Sequence, residues 1–193
     1  MRVFLAGASG VIGRRLVPLL VADGHRVAGM TRTPAKAGML GELGAEPVVA
    51  DVYDAAGLRD AVVAHAADLV MHQLTDLPDE LERIPEMGAA NSRIRTEGTR
   101  NLLAAAEAAG APRFLAQSIA WRLEGGAHRP VEEHEAMVLG AGGVVVRYGQ
   151  FWGPGTYHEE DPGDSCRVQI DEAARRTLEL LEAPSGIFTV VDR

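Results

Sequence analysis

Three glycines near the start of the chain carry the first recognisable chemistry. Gly7-Ala8-Ser9-Gly10-Val11-Ile12-Gly13 follows an apolar run over residues 3–6 and leads straight into an amphipathic helical pattern. Strand, glycine turn and helix in that order cradle a phosphate. The first glycine allows the sharp turn off the strand and the second lets a pyrophosphate approach the backbone. The third lets the helix pack closely, and the helix N-terminus presents free N–H groups and the positive end of its dipole. Ser9, Val11 and Ile12 join the three glycines in this candidate phosphate-binding set. About twenty residues on, where an NAD-preferring site carries an acid for the ribose 2′-OH, the chain has Thr31-Arg32-Thr33 and then Lys36, its one lysine. A guanidinium among hydroxyls suits a 2′-phosphate, so NADP(H) is the expected cofactor and NAD the alternative. Asp51-Val52 ends the third predicted strand, where Asp51 meets either an adenine amino group or the dipole of the next helix. His72-Gln73-Leu74-Thr75 ends the fourth. The carboxyl ends of the first and fourth strands flank the ligand crevice of a doubly wound sheet, which places Gln73, Leu74 and Thr75 beside the central riboses.

The elements that must position these residues alternate throughout. Strands are predicted over 2–7, 25–31, 46–51, 68–74, 112–118, 143–149 and 186–191, and helices over 10–23, 34–43, 54–66, 88–109, 131–140 and 170–183. The strands are Val/Leu/Ile-rich and nearly free of charge, as strands covered on both faces are. The pattern predicts an α/β fold, a Rossmann-type doubly wound parallel sheet of about seven strands in three layers, with right-handed crossovers. Gly24 and Gly110 stand where C′ glycines end helices, and Asp54 where an N-cap starts one. Residues 1–193 read as one dinucleotide-binding domain with no separate C-terminal substrate domain. The polar, Gly/Pro-rich stretch 153–169 reads as a mobile loop.

Composition narrows the classes. Apolar residues make up 47% and charged residues 24%, and the net charge of −8 disfavours nucleic acid as a partner. The single cysteine, Cys166, excludes an intrachain disulfide and a Cys-rich metal site. No apolar run reaches the ~18 residues of a membrane span, and the first residues read as a strand rather than a signal peptide, so a cytoplasmic protein is expected. Consecutive residues such as His158, Glu159, Glu160 and Asp161 rarely converge on one ion, so no metal is expected.

Together these pieces resemble the extended or atypical short-chain dehydrogenase/reductases, also described as NAD-dependent epimerase/dehydratases. The matching residues are the glycine turn, Asp51-Val52, His72-Gln73-Leu74-Thr75, Asn91 with Thr96-Glu97-Gly98-Thr99-Arg100-Asn101-Leu102, Ala116-Gln117-Ser118, Arg147-Tyr148-Gly149 with Gly153-Pro154-Gly155, and Ile170-Asp171-Glu172-Ala173-Ala174. The resemblance implies a nicotinamide cofactor and a small substrate with a carbonyl or secondary alcohol. It adds Asn91 to the cofactor set and leaves a homodimer open.

The family's proton chemistry uses a Ser or Thr with a Tyr-x-x-x-Lys on the following helix. Ser118 matches the first. The positions of the pair fall near Ala127 and Val131, which transfer no proton, and the sole lysine lies elsewhere. Ser118 is therefore expected to hydrogen-bond the substrate oxygen, with Tyr148 lining the nicotinamide pocket as the candidate proton donor and Tyr157 as the loop's alternative. His128, Glu132, Glu133, His134 and Glu135 read as a solvated helix face, although an imidazole there could replace the phenol. The regions that define substrate in the family are short here. The readings that follow are an NADP(H)-dependent oxidoreductase, a non-catalytic NADP(H)-binding sensor like the NmrA-like regulators, or a decayed relative.

Overall fold

Period-two alternation along each strand sorts the apolar side chains into two cores, one on each face of a parallel sheet. On the first strand Val3 and Leu5 face one core while Phe4 and Ala6 face the other. The computed structural model describes residues 1–78, 80–163 and 166–192. In chain order the elements are β1 (Arg2–Ala6), α1 (Gly13–Ala22), β2 (Arg26–Thr31), α2 (Ala37–Glu42), β3 (Glu46–Val49), α3 (Ala55–His65), β4 (Leu69–His72), α4 (Gly88–Arg93), α5 (Thr99–Ala108), β5 (Arg113–Ile119), α6 (Arg129–Gly140), β6 (Val144–Tyr148), β7 (Gln150–Trp152), β8 (Arg167–Gln169), α7 (Ile170–Leu178) and β9 (Gly186–Val190). Seven strands form one sheet in the order β3-β2-β1-β4-β5-β6-β9, every neighbouring pair parallel. This is the Rossmann-type doubly wound fold, and the order reverses between β1 and β4, where the crevice opens.

The seven expected strands are all present. Gly24 and Gly110 take positive φ after their helices, and the Asp54 side chain accepts from the Gly57 N–H at the start of α3. Two expectations change. The helix expected over 88–109 runs without a break over 88–108 but is not α-helical throughout: a π turn, Ile94–Gly98, lies between α4 and α5. Such turns recur at functional sites. The stretch expected to be loop over 153–169 ends in a strand, β8, paired with β7 in a separate two-stranded sheet. Three-residue strands are too short for period two to show in a sequence.

The glycine turn is fixed by contacts that leave no room for a side chain. A Cβ on Gly7, at φ +90°, would lie 2.6 Å from the backbone oxygen of Gln73, and one on Gly13 would lie 2.2 Å from the Gly7 oxygen. A Cβ on Gly38, in exposed α2, meets nothing within 4 Å. Gly13→Ala is therefore expected to destabilise the fold by roughly 1–3 kcal/mol, and Gly38→Ala to be neutral or stabilising by up to about 1 kcal/mol. Chemical denaturation of the two variants checks this, and equal stabilities would contradict the packing described.

Candidate functional site

Turn and strand ends together make the cofactor side of the crevice. The Ala8 N–H donates to the Met30 carbonyl at 3.2 Å, tying the turn to β2, and the Gly10 N–H closes the turn on the Gly7 carbonyl at 3.0 Å. Ser9 and Thr31 pair through their hydroxyls at 3.0 Å. Ile12 is buried in the core and the Val11 carbonyl accepts from Arg15. Arg32 extends from the end of β2 to a buried carboxylate, Asp76, at 2.8 Å, while more than half of its own side chain stays in solvent. Asp76 also accepts from the Tyr53 hydroxyl at 3.3 Å, and its N–H donates to the Asn91 side-chain oxygen at 3.3 Å. Asp76 thus joins residues following β2 and β3, through its carboxylate, to a residue of α4, through its backbone N–H. Burial, reinforced by Asp76, pushes the Tyr53 phenol up to about 12, and the Arg93 guanidinium lies 3.8 Å over its ring.

Among the other expected cofactor residues, Asp51 is exposed and caps the Tyr53 N–H at 2.9 Å. Val52 is a core residue whose carbonyl accepts from Asn101. At the end of β4 the Leu74 N–H donates to His72 Nδ1, the Leu74 carbonyl accepts from Gln117, and Thr75 is exposed. Gln73 is buried, and its amide lies near the Tyr148 hydroxyl without closing a full hydrogen bond on any partner. Buried amides are rarely left so. An anion-sized turn that excludes Cβ atoms, an unsatisfied amide beside it and a half-solvated guanidinium at the end of β2 fit a dinucleotide laid along the crevice.

At the other end, β5 and α6 build a polar cluster. The Ser118 hydroxyl donates to Glu135 Oε1 at 2.5 Å, and Arg147 binds both carboxylate oxygens, Nε to Oε1 at 2.8 Å and an Nη to Oε2 at 2.5 Å. Burial works to raise the Glu135 pKa, but these hydrogen bonds outweigh it and hold the carboxyl below its ordinary value. Beside it runs a chain of neutral histidines. The Leu74 N–H fixes His72 Nδ1 as acceptor, so His72 Nε2 donates to Thr99 Oγ1 at 3.1 Å. Thr99 donates to His134 Nδ1 at 2.7 Å, and His134 Nε2 donates to the Gln117 carbonyl at 2.9 Å. Burial pushes His72 well below its ordinary value and His134 down to about 4.

Two expectations fail here. Tyr148 does not reach Ser118. Register pairs Ser118 with Arg147 and Ile119 with Tyr148, so strand parity sends the phenol to the opposite face of the sheet. There it is 2% exposed and bonded to Thr177 at 2.6 Å. Burial pushes it up to about 12, against the opposing pull of Thr177 and the nearby Gln73 amide. The helix face expected to be solvated is split: Glu132 and Glu133 are exposed, but His134 and Glu135 are buried. A signal for this stood in the sequence, since Val131, His134, Glu135 and Val138 follow the i, i+3, i+4, i+7 spacing of an inward face. Tyr157 donates to the Pro78 carbonyl and joins the 153–163 loop to the segment after β4. Among the described residues, no three His, Cys, Asp or Glu side chains are grouped to hold a metal ion, and no helix is long and apolar enough to cross a membrane.

Comparison with known proteins agrees with this geometry. A family model described as NAD(P)H-binding matches residues 7–138. A 3-diazoavenalumate denitrifying reductase from a Streptomyces species is 38% identical over 192 aligned positions, which cover 87% of this chain and 62% of that protein. The chain thus spans under two thirds of that relative's length. A UDP-glucose 4-epimerase from Thermus thermophilus, solved with NAD, superposes with a TM-score of 0.79 at 20% identity over 99% of this chain and 78% of its own. An anaerobillin reductase from Escherichia coli gives 0.73 at 18% identity over 99% and 97%. These two are likenesses of fold.

The buried histidines set a pH dependence. Both bind fewer protons folded than unfolded once the pH falls below the ordinary value of 6.5. Stability is therefore expected to fall as pH drops from 6.5 toward 4, His134 alone contributing on the order of 3 kcal/mol. The carboxylates held low contribute below that window. Urea denaturation across the range checks this. The slope should shrink in His134→Gln, and a flat profile between pH 6.5 and 5 would contradict the neutral buried chain.

Proposed function

The chain belongs to the NAD(P)H-binding family, and from that premise we propose that it is a reductase, using NADP(H) in preference to NAD(H), that delivers hydride to a small electrophile. The turn from Gly7 to Gly13 with Ser9, Val11 and Ile12 would hold the pyrophosphate. Arg32, oriented by Asp76 and still open to solvent, would take the 2′-phosphate. Asp51, Val52 and Asn91 would line the adenine side, and Gln73, Leu74 and Thr75 the side toward the nicotinamide, where the unpaired Gln73 amide gains a partner. Bound there, the cofactor supplies hydride from its nicotinamide ring.

One observation carries the choice of substrate: the Ser118 proton points at Glu135. A carboxylate held ionised by Arg147 only accepts. Ser118 therefore offers a lone pair rather than a proton to whatever lies beyond it, and Tyr148 lies on the other face of the sheet. The carbonyl or secondary-alcohol class expected from the sequence needs a proton delivered to or taken from oxygen. An electrophile that carries its own activation needs none. A diazonium carbon, for instance, takes hydride to become C–H as its C–N bond breaks and dinitrogen leaves with the bonding pair. The Streptomyces relative, named for a diazo substrate and for denitrifying it, supports this class. In this reading Ser118, Glu135 and Arg147 position and exclude water rather than move a proton.

The test follows oxidation of NADPH by an arenediazonium salt and, separately, by benzaldehyde, each against a protein-free control. The diazonium is expected to be reduced to the arene above the control rate while benzaldehyde stays inert. Reduction of benzaldehyde alone, lost in Ser118→Ala, would return the site to the carbonyl class. Binding of NADPH with turnover of neither would favour the sensor.

A further inference from the structure

The cluster around Ser118 holds one positive charge too many. Glu135 contributes one negative charge and Arg147 one positive, and they neutralise each other in a two-point pair. His72 and His134 are neutral. Arg95, on the π turn, is a second cation in the same neighbourhood: its charge acts on Glu135, His134 and His72. It is half-buried, and among the described residues no ion pair or side-chain hydrogen bond engages it. The neighbouring arginines are all engaged, Arg93 with Glu97, Arg100 with Glu133 and Arg147 with Glu135. Glu135 acts on Arg95 only through space: its hydrogen bonds go to Ser118 and Arg147. Withdrawing a guanidinium from water without a counter-charge is costly.

We infer that Arg95 is the recognition residue for a carboxylate on the substrate, bound beside Ser118. A singly charged, planar carboxylate cancels one surplus charge and matches the guanidinium fork, whereas a phosphate dianion would overshoot it. The inference deepens the reductase reading and rests on it for the word substrate. It makes the π turn functional, since the inserted residue interrupts the regular helix at the segment that carries Arg95.

The test reads binding, not turnover. Cinnamate and the neutral cinnamamide are titrated by calorimetry into protein saturated with NADP+, in the unaltered chain and in Arg95→Gln and Arg95→Lys. The unaltered chain is expected to bind cinnamate about tenfold or more tighter than the amide, as a charge-assisted pair would give. That discrimination should fall to within about twofold in Arg95→Gln and return in part in Arg95→Lys. Equal affinity for the two probes, binding of neither, or discrimination surviving in a folded Arg95→Gln would overturn the proposal. Should Arg95→Gln not fold, the comparison within the unaltered chain and the lysine variant decides. Discrimination without any NADPH-dependent turnover would leave the anion site standing and remove the reductase reading, while turnover without discrimination would do the reverse.

Discussion

Gly7 and Gly13 approach their neighbours so closely that no other residue fits, and the rest of the cofactor side follows from that. With Gly7 against the Gln73 backbone, β1 and β4 are locked at the point where the strand order reverses. With Gly13 against the Gly7 carbonyl, the N-terminus of α1 is pinned over the carboxyl edge of the sheet. In the proposed cofactor site, the positive end of the helix and the backbone of the turn would share one ligand with Gln73 and Arg32. A looser turn would leave the same residues in the sequence and no crevice for them to share.

The opposite end depends on strand parity in the same strict way. Ser118 and Arg147 are paired across β5 and β6 and point to the α6 side, where Glu135 joins them; Tyr148, one residue on, points away. A family that works through a serine, a tyrosine and a lysine on one face has here a serine, a carboxylate and an arginine. The replacement reverses the direction of the hydrogen bond at Ser118, from a donor toward substrate to a donor toward protein. In the reading proposed above, that reversal would move the chemistry from proton-coupled reduction toward plain hydride acceptance.

Much of this was legible in the residues. The strand and helix alternation, the glycine turn, the Asp54 cap and Ser118 at a strand end were readable because each is a local pattern with a local cause. Asp76 was not, because its importance comes from Arg32, Tyr53 and Asn91, which lie far from it in the chain. Nor was the π turn, since one inserted residue does not disturb an Ala-rich helical pattern enough to show. The burial of His134 and Glu135 was readable from their spacing with Val131 and Val138, but polar residue types argued for solvent, and tertiary pairing with Thr99, Ser118 and Arg147 won. The face of Tyr148 was half legible: it shares parity with Val144 and Val146, yet only the packed helices say which face is which.

The most direct measurement is a parallel fluorescence titration of the unaltered protein with NADPH and NADH. The arrangement of the glycine turn, Gln73 and Arg32 predicts saturable binding of both, with NADPH tighter by about tenfold or more from the charge-assisted contact at Arg32. Failure of both nucleotides to bind would contradict the dinucleotide crevice itself, and tighter binding of NADH would contradict the role given to Arg32.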